Sequence, residues 1–364
     1  MNRKNVISAF SGTYAEAREK FVDTAMRRGA RLKTFELSGY RGALGERLFT
    51  DVAYLGSYDA RNVLIVSSGT HGLEGFCGAG CQIAALRDDA LMARVDGQDI
   101  GVLFIHAVNP YGFSYLTRTN QDNVDLNRNH IRFGNGVPEN STYSNLHPLL
   151  VPKHWPPTDT ENRALHEHIE QIGVAAYRAG LMYGQYSERD GLFYGGAGPT
   201  WNNGTIRTIL REYAAGAKTV GWIDIHTGLG PYGHGEKIYI GSNTLSEVRR
   251  VREWWGCDVA APFEGDSITP GVNGAVQMAI FDELPDAEVA MIGLEFGTLP
   301  ESEVLLALRA LAWLRRNPDC SREKLGDIVR AARAAFYCDE ELWKGMVWSQ
   351  ARVSLLQSLI ALSK

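Results

Sequence analysis

Residues 62–78 read NVLIVSSGTHGLEGFCG: an apolar run, a turn of serine and glycine, then His71 and Glu74 at the start of a helix-like stretch. A short apolar run bounded by turn residues reads as a buried strand. The serines and glycines alone fit a phosphate loop or a nucleophile turn. His71 and Glu74 point elsewhere, because a histidine three residues before a glutamate, at a strand mouth, can bring an imidazole nitrogen and a carboxylate to one place. On its own the pair also fits a helix N-terminus with an acid in its first turn.

Six further runs carry the same strand signal: RLKTFELS (31–38), LFTDVAYLG (48–56), GVLFIHAVNP (101–110), KTVGWIDIHTG (218–228), EKIYIGS (236–242) and VAMIGLEFG (289–297). Helix-like segments lie between them at 13–28, 75–94, 161–179, 203–216 and 244–255. This alternation predicts an α/β three-layer sandwich around a mixed, largely parallel sheet. Ligands of such sheets bind beyond the carboxyl ends of the strands. Three strands place chemistry there: one runs into His71 and Glu74, DIHTG ends on His226, and MIGLEFG ends on Glu295.

The stretch 133–200 is rich in Pro, Asn and Trp and reads as a pocket-forming insertion with a helix in its middle. From about 301 the chain is helical, opening with ESEVLLALRALAWLRRN. With no repeat and no clear linker, residues 1–364 are expected to form a single domain. The net charge of −5 argues against a nucleic-acid binder, which would carry a basic stripe. No run reaches the ~18 apolar residues of a membrane span, and the N-terminus lacks an apolar run of secretory length. Five scattered cysteines fit reduced thiols and a cytoplasmic setting, with Cys77 and Cys81 as buried core thiols. A homo-oligomer is left open.

A catalytic zinc needs three protein ligands and one open position. His71, Glu74 and the distant His226 meet that need, although His226 also reads as a strand-end histidine bonded to Asp224 or Thr227. Glu295 offers a carboxylate to take a proton from water; an acid buried among MIGLEFG is costly unless used or paired. The polar stretch NPYGFSYLTRTNQDNVDLNRN (109–129) gathers Arg118, Asp125, Asn127 and Arg128. Arginine suits a carboxylate or a developing oxyanion, and an aspartate can hold the far nitrogen of a metal-bound imidazole. By itself this stretch also reads as a solvated loop.

Together these pieces resemble the zinc carboxypeptidase family of the carboxypeptidase A type. The matching motifs are His71-Gly-Leu-Glu74, then Asn109-Pro-Tyr-Gly112, Arg118 and Val124-Asp-Leu-Asn-Arg-Asn129, then His226, then Glu295. The resemblance implies Zn2+ on His71, Glu74 and His226, Glu295 as general base, and Arg118 polarising the scissile carbonyl. It further implies Asn127 and Arg128 holding a substrate carboxylate and Asp125 orienting His71. Tyr194, in GLFYGG, is a candidate for the tyrosine covering the substrate and also reads as a packed loop aromatic. NPYG in place of NPDG, and the short step from Arg118 to Asn127, are similar to the aspartoacylase and succinylglutamate desuccinylase group. The overall texture looks like a bacterial branch of carboxypeptidase-like hydrolases. The expected substrates are a small peptide or, alternatively, an N-acyl amino acid. A serine hydrolase using Ser67 or Ser68 would need a G-x-S-x-G elbow, and none follows any strand. A non-enzymatic binding protein would be expected to lack a ligand or the base, and all four positions are present.

Overall fold

Each of the seven apolar runs forms a strand in the computed structural model, which describes residues 3–364. They are β1 (Arg31–Arg41), β2 (Arg47–Leu55), β3 (Asn62–Ser68), β4 (Ile100–His106), β5 (Thr219–Tyr232), β6 (Gly235–Tyr239) and β7 (Glu288–Gly297). The single sheet has the order β1-β2-β4-β3-β5-β7-β6. Its four central strands are parallel, while β1, β2 and β6 join antiparallel.

The central strands are buried on both faces, which explains their near-continuous apolar runs. Leu64, Val66, Phe104, Ile223, Ile225 and Ile292 face a layer built by helices Tyr14–Arg27, Gly75–Arg87, Leu245–Trp255 and Glu341–Leu362. Val63, Ile65, Leu103, Ile105, Trp222 and Met291 face the opposite layer, led by helix Trp201–Tyr213. The result is the three-layer sandwich.

Two expected helices are broken, each by one residue. The segment 75–94 stops at Asp88, whose side chain accepts from the Leu91 N–H (3.1 Å) and starts a new turn. The segment 161–179 divides at Gly173, whose φ of 83° ends helix Asp159–Ile172 before Val174–Met182 begins. A further helix, Ser141–Leu150, lies where the sequence reads as punctuation, with Pro148 in its last turns. These three helices pack against Glu301–Arg316 and Arg322–Phe336 around a separate apolar cluster beside the sheet's carboxyl ends.

The last helix belongs to the sandwich proper. Trp343, fully buried, donates from Nε1 to the Gly297 carbonyl (2.9 Å) at the end of β7. Trp255 in turn donates to Ser354 O (3.1 Å) and Ser358 Oγ (3.0 Å). Trp343→Ala is therefore expected to cost about 3–5 kcal/mol in urea unfolding. A loss below about 1 kcal/mol would detach this helix from the core.

Candidate metal centre

Parallel pairing sets the site. β5 lies between β3 and β7, and His226 and Glu295 are direct partners across β5 and β7. Beyond β3 the chain turns at Gly69, whose φ is 65°, and runs through His71 into the short turn Gly72–Glu74. Glycine is required at 72, because a Cβ there would sit 1.9 Å from the carbonyl carbon of Gly112. The HGLE turn thus lies backbone against backbone on NPYG, and the Gly72 N–H donates to Arg118 O (3.2 Å). Two distant motifs are locked together by the absence of a side chain.

The geometry converges on Glu74. Its Oε1 is 2.8 Å from His71 Nδ1, and its Oε2 is 2.9 Å from His226 Nδ1. One ligand atom from each of the three residues lies within 4.8 Å of the others, and all three side chains are buried. The outer nitrogens have carboxylate partners: His71 Nε2 is 3.2 Å from Asp125 Oδ1, and His226 Nε2 is 2.6 Å from Asp224 Oδ2. Two Nδ1 atoms and a carboxylate facing one point, each imidazole backed by an acid, are a donor set that fits zinc. Asp224 is the member that sequence reading left as an alternative. Its signal is the D-x-H spacing, which puts both residues on one face of a strand.

Asp224 also explains the first of the two serines. It accepts from Ser67 Oγ (2.6 Å) and Thr70 Oγ1 (2.9 Å), while Ser68 Oγ donates to Gln82 Oε1 (2.9 Å). Both serine side chains are fully buried, but only Ser67 supports the centre; Ser68 is tied through Gln82 to the Val66 and Ile105 carbonyls of the sheet.

Burial and the neighbouring Glu74 charge push the Glu295 carboxyl up to about 8, with His226 and the Leu229 N–H (3.1 Å) opposing. For Glu74, burial works toward the neutral form, but His71 and His226 overcome it and hold the carboxyl below its ordinary range. For His226, burial is likewise overcome by Asp224 and Glu74, which hold the imidazole's proton well above the ordinary range.

Arg118 folds onto this cluster. Its Nε donates to Asp125 Oδ2 (2.9 Å), its Nη1 to Glu74 Oε1 (3.2 Å), and its Nη2 lies 2.9 Å from His71 Nε2. Asn127 accepts from the Val276 N–H through Oδ1 (2.9 Å) and approaches His226 Nε2 through Nδ2 (3.4 Å). Arg128 donates from Nε and Nη2 to Met182 O (3.0 and 2.6 Å) and from Nη1 to Asn127 O (3.1 Å). Burial lowers its guanidinium to about 10, with Asp125 opposing.

His71, Glu74, Arg118, Asn127, Arg128, His226 and Glu295 all line one cavity of about 510 Å³. Tyr194 does not. It is 3% exposed and packed in the core beneath the sheet, so it cannot cover a substrate. Phe193, at φ 53°, is the aromatic of this stretch that lines the cavity. The Phe193 ring lies 5.1 Å from the Arg118 guanidinium carbon and 5.2 Å from that of Arg128. The insertion supplies Met182, Tyr183 and Phe193 to the cavity wall.

Two outcomes follow for the centre. Asp224→Ala is expected to weaken zinc binding about 10–100-fold in a chelator competition; unchanged affinity would remove Asp224 from the centre. The second concerns the metal-free protein. The folded Glu295 carboxyl keeps its proton to about pH 8, whereas an unfolded chain releases it near ~4.3. Stability from this group therefore falls as pH rises through that window. Glu295→Gln should raise the metal-free melting temperature increasingly from about pH 5 to about pH 9. A difference independent of pH would contradict the raised value.

The sequence matches, over residues 10–350, the family described as protein of unknown function DUF2817. No curated protein is matched. Among solved structures the chain is similar to bovine thrombin-activatable fibrinolysis inhibitor in complex with tick carboxypeptidase inhibitor. That likeness has 12% identity and a TM-score of 0.50, covering 96% of this chain and 97% of that one. Carboxypeptidase A from Helicoverpa armigera shares 15% identity over 89% of this chain and 74% of its own, at a TM-score of 0.45. Murein-tripeptide amidase MpaA from Escherichia coli O157 shares 17% over 79% and 95%, at 0.36. The chain belongs to the DUF2817 family and has the carboxypeptidase-like fold.

Proposed function

We propose that this protein is a zinc-dependent hydrolase that cleaves an amide bond next to a substrate carboxylate, in the manner of a carboxypeptidase. The observation that carries this reading is the convergence of His71, Glu74 and His226, with Glu295 on the wall of the same cavity. A zinc ion held by these three side chains would supply Lewis acidity for the scissile carbonyl and lower the pKa of water. Glu295 takes the proton of the attacking water and delivers it to the leaving nitrogen. Arg118, whose two terminal nitrogens already reach Glu74 and His71, donates to the carbonyl oxygen as its negative charge develops. Arg128 and Asn127 receive the substrate carboxylate, and Asp125 and Asp224 keep both imidazoles turned inward.

A second reading, deacylation of a small N-acyl amino acid, is supported by the insertion, which walls the cavity with Met182, Tyr183 and Phe193. The Asn273 N–H donates to Tyr183 O (3.2 Å) and the His130 N–H to Gly274 O (3.1 Å), joining the insertion and the 109–130 stretch to the loop before β7. A cytoplasmic setting accords with five unpaired cysteines. Among the described residues, no helix is long and apolar enough to cross a membrane.

A panel of dipeptides and N-acyl amino acids, assayed with stripped and zinc-reloaded protein, tests both readings. Zinc-dependent turnover of at least one class is expected, and turnover unaffected by chelation would sink both. Glu295→Gln should retain zinc while kcat falls about 10²–10⁴-fold; undiminished turnover would remove Glu295 from the chemistry.

A further inference from the structure

Helix Glu341–Leu362 runs for 22 residues, about 33 Å. One face, with Trp343, Val347, Ala351, Leu355, Leu359 and Leu362, is buried in the sandwich. A surface helix ordinarily turns charge outward on its other face; helix Arg322–Phe336, for example, exposes Arg322, Glu323, Asp327 and Arg330. Glu341–Leu362 does not. After Glu341 its only charged residues are Lys344, buried against Asp339, and Arg352, whose Nε donates to Asp88 Oδ2 (2.6 Å). What it exposes instead is Leu342 (68%), Val353 (51%) and Ile360 (40%).

These three stand in a repeat. Leu342, Met346, Ser349, Val353, Leu356 and Ile360 follow one another at spacings of four, three, four, three and four, the period of a stripe along which helices pair. Met346 and Leu356 are half-buried and complete the stripe, and the exposed Ser349 is its one polar member. The Ser349 hydroxyl donates to Met346 O (2.8 Å), so it can be covered without losing a partner. Such a stripe needs a second helix, and none of the described residues covers Leu342, Val353 or Ile360.

We infer that this face pairs with the same face of a second copy of the chain, the two helices running antiparallel about a two-fold axis at the level of Ala351. The stripe is its own complement in that arrangement: Leu342 meets Ile360 of the other copy, Met346 meets Leu356, and Ser349 meets Val353. Charge chooses the direction. Glu341 flanks one end of the stripe and Lys364 the other, so antiparallel pairing brings opposite charges together. Parallel pairing would set Glu341 against Glu341 and Ser349 against Ser349. A membrane surface is a poorer match, because a helix lying on one carries lysines or arginines beside its apolar face. Here those flanks hold Gly345, Gln350 and Gln357.

The test is sedimentation equilibrium of the full chain from about 1 to 100 µM, where a pairing of this size should give a reversible dimer. Leu342→Glu and Ile360→Lys should each weaken the dimer at least about ten-fold, because each buries an unpaired charge twice. An equimolar mixture of the two variants should recover it, since the mixed dimer sets the introduced carboxylate against the introduced ammonium. Leu44→Glu, at a leucine 77% exposed in the turn between β1 and β2, should leave the dimer unchanged. Leu342→Ser, which adds no charge, should weaken it by a smaller factor and serves if a charged variant fails to fold. A chain that stays monomeric throughout, or a dimer indifferent to both Leu342→Glu and Ile360→Lys, overturns the inference. Failure of the mixture to recover the dimer overturns the antiparallel pairing. Binding of the monomer to phosphatidylglycerol vesicles, lost with Leu342→Glu, would give the face to a membrane instead.

Discussion

One carboxylate governs the centre. Glu74 gives an oxygen to each histidine, 2.8 Å from His71 Nδ1 and 2.9 Å from His226 Nδ1, in a region closed to solvent. Around it are buried three more carboxylates, Asp125, Asp224 and Glu295, and two guanidiniums, Arg118 and Arg128. With neutral imidazoles, that set carries two uncompensated negative charges, the charge of one divalent cation. Without a cation the imbalance must be met by protons, because isolated buried charge is costly. The raised proton affinities of His226 and Glu295 are the form this takes. Binding of a divalent cation at this cluster would therefore be linked to proton release.

The fold serves that convergence. β3, β5 and β7 are neighbours in one parallel array, so the chain emerging from each reaches the same edge of the sheet. The Gly72–Gly112 contact then docks the NPYG stretch onto the HGLE turn, which brings Arg118 and Asp125 against His71. Phe193 lies close to both arginine guanidiniums, an apolar surface against which their planes can rest. The opposite wall, built on β6, β7 and the loop before β7, mixes apolar side chains such as Ile238, Ile240 and Met278 with polar ones such as Ser242, Asn243 and Asn273.

Much of this was legible in the chain. The central strands declare themselves because strands buried on both faces need continuous apolar runs, and the candidate site residues His226 and Glu295 stand at strand ends, where they were read directly. The insertion was less legible. A single left-handed glycine, Gly173, divides what the apolar period presents as one helix, and helix Ser141–Leu150 hides behind a proline near its end. Tyr194 and Phe193 show the limit most clearly. Of these adjacent aromatics Phe193 lines the cavity and Tyr194 packs in the core, and nothing in GLFYGG tells the two apart. Asp224 was readable as a partner of His226, but only the packing of Ser67 and Thr70 on its carboxylate shows how firmly it is held.

The most direct measurement is X-ray absorption at the zinc edge on protein stripped and reloaded to saturation. One zinc per chain is expected, in a shell of two imidazole nitrogens and carboxylate or water oxygen at about 2.0–2.2 Å, with no sulfur. A sulfur shell near ~2.3 Å, or the absence of stoichiometric zinc, would contradict the assignment of the centre to His71, Glu74 and His226.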